Sequence, residues 1–72
     1  MPALPVVSGG EAVKAFESLG WAVARRSSHI IMVHPDHTVT LSIPNHRVVA
    51  KGTLRSLIRS ANLTVAEFIA AL

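Results

Sequence analysis

Cysteine is absent, which excludes disulfide staples, a thiol nucleophile and thiolate-ligated zinc or iron–sulfur sites. Acidic residues are nearly as scarce. Glu11, Glu17, Asp36 and Glu67 are scattered along the chain, so carboxylate-pair glycosidase chemistry and two-metal nuclease chemistry lack their groups. Gly9-Gly10 stands alone, so there is no glycine-rich phosphate loop. Apolar runs such as Ile30-Ile31-Met32-Val33 fall far short of the ~20 residues that span a bilayer, and no basic segment followed by an apolar one opens the chain. These absences point to a soluble, unexported protein, and the lack of cysteine suits the cytoplasm. With Phe16, Trp21 and Phe68 as its aromatics, the core must be built mainly from Leu, Ile, Val and Ala.

What the chain does have is apolar residues, 50% of 72, enough for one core and too few residues for two. Residues 1–72 are therefore read as a single domain. Seven Lys/Arg against four Asp/Glu give a net charge of +3 and a sequence pI near 10.8. That balance suits a polyanion such as nucleic acid, or a negatively charged protein.

Pro2 and Pro5 sit in an aperiodic start, read as an extended lead-in with structure beginning at Ser8. Ser8 and Glu11 have capping-box spacing, and Ala12, Val13, Phe16 and Leu19 make an apolar helical stripe that Gly20 stops. The period then changes. Trp21 to Arg26 and His29 to His34 read as two strands around a Ser27-Ser28 break, with Pro35-Asp36-His37 as the next turn. Thr38 to Ile43 alternates, Val39, Leu41 and Ile43 facing inward, and Pro44 is expected to end that strand. Leu54, Leu57, Ile58 and Ala61 repeat at helix spacing up to Asn62, a left-handed cap. A second capping box, Thr64 and Glu67, opens a last short helix with Val65, Phe68, Ile69 and Leu72 inward. The expected class is α+β: α-β-β-β-α plus a short C-terminal helix, with a three-stranded antiparallel sheet backed by helices and one sheet face wet.

Four histidines are notable in so short a chain. His29 begins a strand directly after Arg25-Arg26-Ser27-Ser28, beside two cations and two hydroxyls, where an imidazole can exchange a proton near neutral pH. The residues alone leave it open between that role and a polar strand end. His46, in the loop after the third strand, is a candidate second proton-transfer group if that loop faces the first hairpin. His34 and His37 flank Pro35-Asp36 and read as surface turn residues, since zinc wants three or four converging ligands. Lys51, Arg55 and Arg59 fall at i, i+4, i+8, one basic ridge with charges ~6 Å apart along a helix axis, close to phosphate spacing. A solvated helix face explains the same pattern. Lys51 and Gly52 at the helix start also suit a phosphate. Phosphodiester chemistry here must run on histidine, hydroxyl and cation, which fits RNA, whose 2′-hydroxyl is an internal nucleophile.

Leu4-Pro5 ahead of Ser8-Gly9, Leu19-Gly20-Trp21, Ser28-His29, Pro44 and His46 two apart, Lys51-Gly52-Thr53-Leu54-Arg55, Leu63-Thr64 and Glu67-Phe68 follow one another in order. In this series the chain resembles the HicA toxin family, small RNA-cleaving components of bacterial and archaeal toxin–antitoxin pairs. The resemblance implies a fold like the double-stranded-RNA-binding domain (dsRBD-like), metal-independent cleavage of mRNA without a cofactor, and His29 of the Ser-His motif as the catalytic residue. It also implies a partner, the antitoxin HicB, covering the catalytic face. Ser27 stands where the family usually has Gly, and Ile30 where a polar residue is common. If that turn needs a positive φ, Ser27 is strained.

The reading that joins these observations is an RNA-cleaving toxin. His29 moves the proton, Arg25 and Arg26 hold the phosphate, Ser28 orients the histidine or the substrate, and Lys51, Arg55 and Arg59, with His46, line the RNA path. A non-catalytic RNA-binding module would use the same basic face without needing His29. A protein-interaction domain docking an acidic partner on the open sheet face is the third reading.

Overall fold

A computed structural model describes residues 3–72 of the chain. Its elements run α1 (Gly9–Ser18), β1 (Ala22–Arg26), β2 (His29–Val33), β3 (Leu41–Pro44), α2 (Lys51–Ser60) and α3 (Val65–Ala70). Both expected capping boxes form. The Ser8 amide donates to Glu11 Oε1 at 2.9 Å and the Glu11 amide to Ser8 Oγ at 3.1 Å, and Thr64 and Glu67 repeat the arrangement.

Two helices end in the same way. At Gly20 (φ 98°) the chain turns left-handed, its amide donates to the Glu17 carbonyl and the Trp21 amide to that of Phe16. Asn62 (φ 59°) does the same after α2, its amide donating to the Arg59 carbonyl and the Leu63 amide to that of Ile58. These are Schellman closures, which bring an apolar residue just past each helix back onto its last turn. Gly20 has a second reason to lack a side chain, because a Cβ there would collide with His34 Nε2.

The strands form one antiparallel sheet in the order β1-β2-β3. Ile30 faces Ile43 and Met32 faces Leu41 across β2 and β3, and these four are buried. Val23, opposite Met32, completes the core face on β1. Helix α1 lies against β1 and β3, α2 against β3, and α3 against both other helices. Phe16 and Phe68 meet between helices, ring centroids 5.2 Å apart, and both are fully buried. The α+β architecture is as the patterning implies.

Three expectations need correction. The lead-in is part of the fold, since Leu4 and Val7 are buried and the Val49 amide donates to the Val7 carbonyl at 2.8 Å. Pro2 lies outside the described residues. The third strand starts at Leu41 rather than Thr38, leaving Val39 46% exposed. Its partner β2 ends at Val33, so residues 38–39 have no strand to pair with. Pro44 ends the strand as expected, as its last residue opposite His29, a place proline tolerates because β3 is an edge strand. Leu72, finally, is 53% exposed, beyond the end of α3.

Candidate active site

At one end of the sheet β2 begins and β3 finishes, and three segments are tied together there by backbone hydrogen bonds. Asn45 donates to the Ser28 carbonyl at 3.2 Å, joining the β3–α2 loop to the β1–β2 turn. Gly9 donates to the His46 carbonyl at 2.9 Å, seating the start of α1 on that loop. Val49 closes the loop onto Val7. His29 is exposed at this end, and His46, also exposed, stands two residues beyond Pro44, the cross-strand partner of His29. The first hairpin and the loop bearing His46 are thus neighbours.

The turn ahead of His29 is held by Ser27, whose amide and hydroxyl both donate to the His29 carbonyl, at 3.1 and 3.3 Å. Ser28 contributes its own carbonyl to Asn45. Among the described residues Asn62 is the one non-glycine residue with a positive φ, so Ser27 is not strained and needs no glycine. Ser27→Gly should therefore lower stability by about 0.5–1 kcal/mol, through lost hydroxyl bonding and added chain entropy in the unfolded state. Thermal unfolding checks the sign, since relief of strain would raise the midpoint instead.

Arg25 and Arg26 leave the strand on opposite sides of the sheet. Successive strand residues face opposite sides, and a bulge at Ala24, between Val23 and Arg25, decides which residue takes which side. Arg25 pairs with Ile31, which alternates onto the same open face as His29, whereas Arg26 pairs with buried Ile30 on the helix-covered side. Plain alternation outward from Val23 would have assigned them the other way round.

Lys51, Arg55 and Arg59 are exposed along α2, opposite buried Leu54, Leu57 and Ile58. The α2 N-cap, Ala50, makes no side-chain hydrogen bond, no acid stands in the first turn, and the space around Gly52 is open. Lys51 follows directly from the loop that carries His46. Arg47, an exposed cation between His46 and Val48, was a loop residue without a role in the sequence pattern. Gly9 had no packing role in the sequence pattern, yet a Cβ at this buried position would run into the Pro44 carbonyl oxygen.

His34 and His37 belong elsewhere. They lie beyond the far end of β2, and His29 to Val33 alone spans roughly 13 Å at the rise of a strand residue. Rather than plain surface turn residues, they are half-buried and packed with Trp21, ring centroids 4.7–5.2 Å apart. His34 Nδ1 accepts from the Asp36 amide at 3.0 Å. Among the described residues no group of three or more His, Cys, Asp or Glu converges as a metal site.

This end of the sheet, with the hairpin, the β3–α2 loop and the whole of α2, falls inside residues 9–63, the span matched by the family model described as the HicA toxin of bacterial toxin–antitoxin systems. The chain belongs to the HicA toxin family. No match was found among curated proteins or among solved structures. As a HicA toxin it is the toxin half of a toxin–antitoxin pair, and the family implies a HicB antitoxin as its partner. Among the described residues no helix is long and apolar enough to cross a membrane.

Proposed function

We propose that this HicA toxin is a ribonuclease that cleaves mRNA by metal-independent proton transfer, with His29 as the principal acid–base group. The observation that carries the reading is the junction of the β1–β2 turn with the β3–α2 loop through Asn45 and Ser28, which brings exposed His29 and the loop of His46 to one end of the sheet. In the reaction a base removes the proton of the RNA 2′-hydroxyl and its oxygen attacks the adjacent phosphorus. The bond from phosphorus to the 5′-oxygen breaks, an acid protonates that oxygen, and a 2′,3′-cyclic phosphate and a 5′-hydroxyl result. Two proton-transfer groups are needed, and His46 is assigned as the second. Arg25 supplies positive charge on the open face, where the phosphorane becomes more negative. The ridge Lys51, Arg55 and Arg59 holds the neighbouring backbone. Glu11 and Glu67 take little part, because both are committed to capping boxes.

The test is cleavage of a long unstructured RNA with EDTA present, comparing wild type with His29→Ala and mapping the product ends. Cleavage by wild type alone, leaving the ends given above, is the expected result. Cleavage that EDTA abolishes, or that His29→Ala retains, overturns it. A second contrast follows from the register at the bulge. Arg25→Ala should lower kcat/KM by about tenfold or more, while Arg26→Ala stays within about threefold. Equal losses would mean that the two guanidinium groups reach one phosphate after all.

A second reading, binding of RNA without cleavage, is favoured by the exposed ridge on α2, which has no need of His29. It predicts a steep salt dependence of binding and no cleavage by either protein.

A further inference from the structure

Beyond the basic ridge, the Schellman turn that ends α2 leaves a groove of about 320 Å³ between the last turn of α2 and the start of α3. Its floor is apolar. Ile58 is buried, and Leu63 and Val65 are half-buried against the core. The Leu63 amide donates to the Ile58 carbonyl at 3.1 Å, so the floor is fixed by the helix ending itself. Its rim is cationic, since Arg55 and Arg59 line it, and no acid does. The nearest acidic residue in sequence, Glu67, has its carboxylate tied to the Thr64 amide at 2.9 Å.

An apolar floor beneath two guanidinium groups fits a ligand that is flat and apolar on one side and anionic on the other. A volume at the small end of ligand pockets, which run from ~300 Å³, holds one such unit rather than a folded segment. The geometry points to a subsite for a single RNA nucleotide, its base laid on Ile58, Leu63 and Val65 and its phosphate held by Arg55 and Arg59. Arginine suits both halves, because its planar head pairs with phosphate oxygens and stacks on a base. Arg59 stands two turns along α2 from Lys51, ~12 Å at the helical rise, so the nucleotide held here lies about two phosphates away from the one at Lys51. The groove would give the toxin a base-dependent but sequence-tolerant contact at a position remote from the cleaved bond. This inference rests on the RNA-directed reading above, though not on His29 chemistry.

The experiment is a methyl and amide NMR titration of full-length His29→Ala protein with a short single-stranded RNA, and with an oligonucleotide of the same length and charge that lacks bases. The methyl signals of Ile58, Leu63 and Val65 should move with the RNA and not with the abasic strand, which binds about tenfold more weakly. Arg55→Gln with Arg59→Gln, both exposed positions, should weaken RNA binding about tenfold and reduce the slope of log affinity against log salt by about 1.4, the loss of two single-strand phosphate contacts. Equal binding of both strands, with the floor methyls unmoved, overturns the subsite. So does movement of those methyls by an acidic peptide and not by RNA, which would make the groove a protein contact. RNA seated in the groove of a protein whose wild type cuts nothing would sustain the subsite and overturn the ribonuclease reading alone.

Discussion

His29→Ala should lower RNA cleavage by about 10²–10⁴-fold, the usual contribution of one positioned acid–base group, while leaving RNA affinity within about threefold. The separation is expected because His29 is exposed and makes its structural bonds through its carbonyl, which accepts from the Ser27 amide and hydroxyl. Those bonds survive truncation of the ring. An exposed substitution of this kind changes stability by no more than about 0.5 kcal/mol, so the thermal midpoint should hold and a lost rate cannot be blamed on lost fold. In cells the same variant should abolish growth arrest at normal protein levels. Which proton His29 moves can be read separately. A substrate whose 5′-oxygen is replaced by sulfur needs no acid, so it restores cleavage to the variant lacking the acid and not to the variant lacking the base. If His46→Ala is rescued by that substrate and His29→Ala is not, His29 is the base and His46 the acid. Retained toxicity of a stably expressed His29→Ala protein would sink the mechanism.

The parts of this molecule that were legible in its sequence are those decided within one turn of chain. Ser8 with Glu11 and Thr64 with Glu67 make reciprocal bonds three residues apart, and Gly20 and Asn62 take left-handed turns that few other residues accept, so helix ends could be read directly. Long-range pairing could not. Thr38 and Val39 continue the alternation of the strand that follows, and stay out of the sheet because β2 ends at Val33 and offers them no partner. Leu4 and Val7 join the core through a loop more than forty residues away. At the site, the sequence offered His46 as a partner of His29 only if its loop faced the first hairpin, and could not supply the tie between Asn45 and Ser28 that makes loop and hairpin neighbours. It could not say which of Arg25 and Arg26 takes the open face, because the bulge at Ala24 that decides this has no residue signature of its own. Family membership added what neither spacing nor geometry carries, the role of a toxin with an antitoxin partner.

Gly9→Ala should lower stability by about 1–3 kcal/mol, the cost of overpacking a filled site, and depress the thermal midpoint by roughly 5–20 °C in a domain of this size. Helix propensity alone predicts the opposite sign, since alanine is favoured over glycine in a helix by ~1 kcal/mol. Here sterics win. A Cβ on Gly9 would meet the Pro44 carbonyl oxygen, with Asn45 Cα at 3.1 Å and the His46 amide nitrogen at 3.3 Å, all of them backbone that cannot rotate aside. The strain can be relieved by moving the 44–46 loop off α1, which breaks the bond from Gly9 to His46 and shifts His46 relative to His29. Gly10 is the internal control. The nearest atom to a Cβ there is Ser8 Oγ at 3.9 Å, so Gly10→Ala should stabilise by up to about 1 kcal/mol and leave activity alone. Assayed below its midpoint, folded Gly9→Ala protein should lose kcat with little change in KM, because the exposed α2 ridge proposed to hold RNA is untouched and the proposed proton-transfer groups are displaced. Equal effects of the two alanines on stability and rate would show that the seat of α1 on this loop has no part in holding the site.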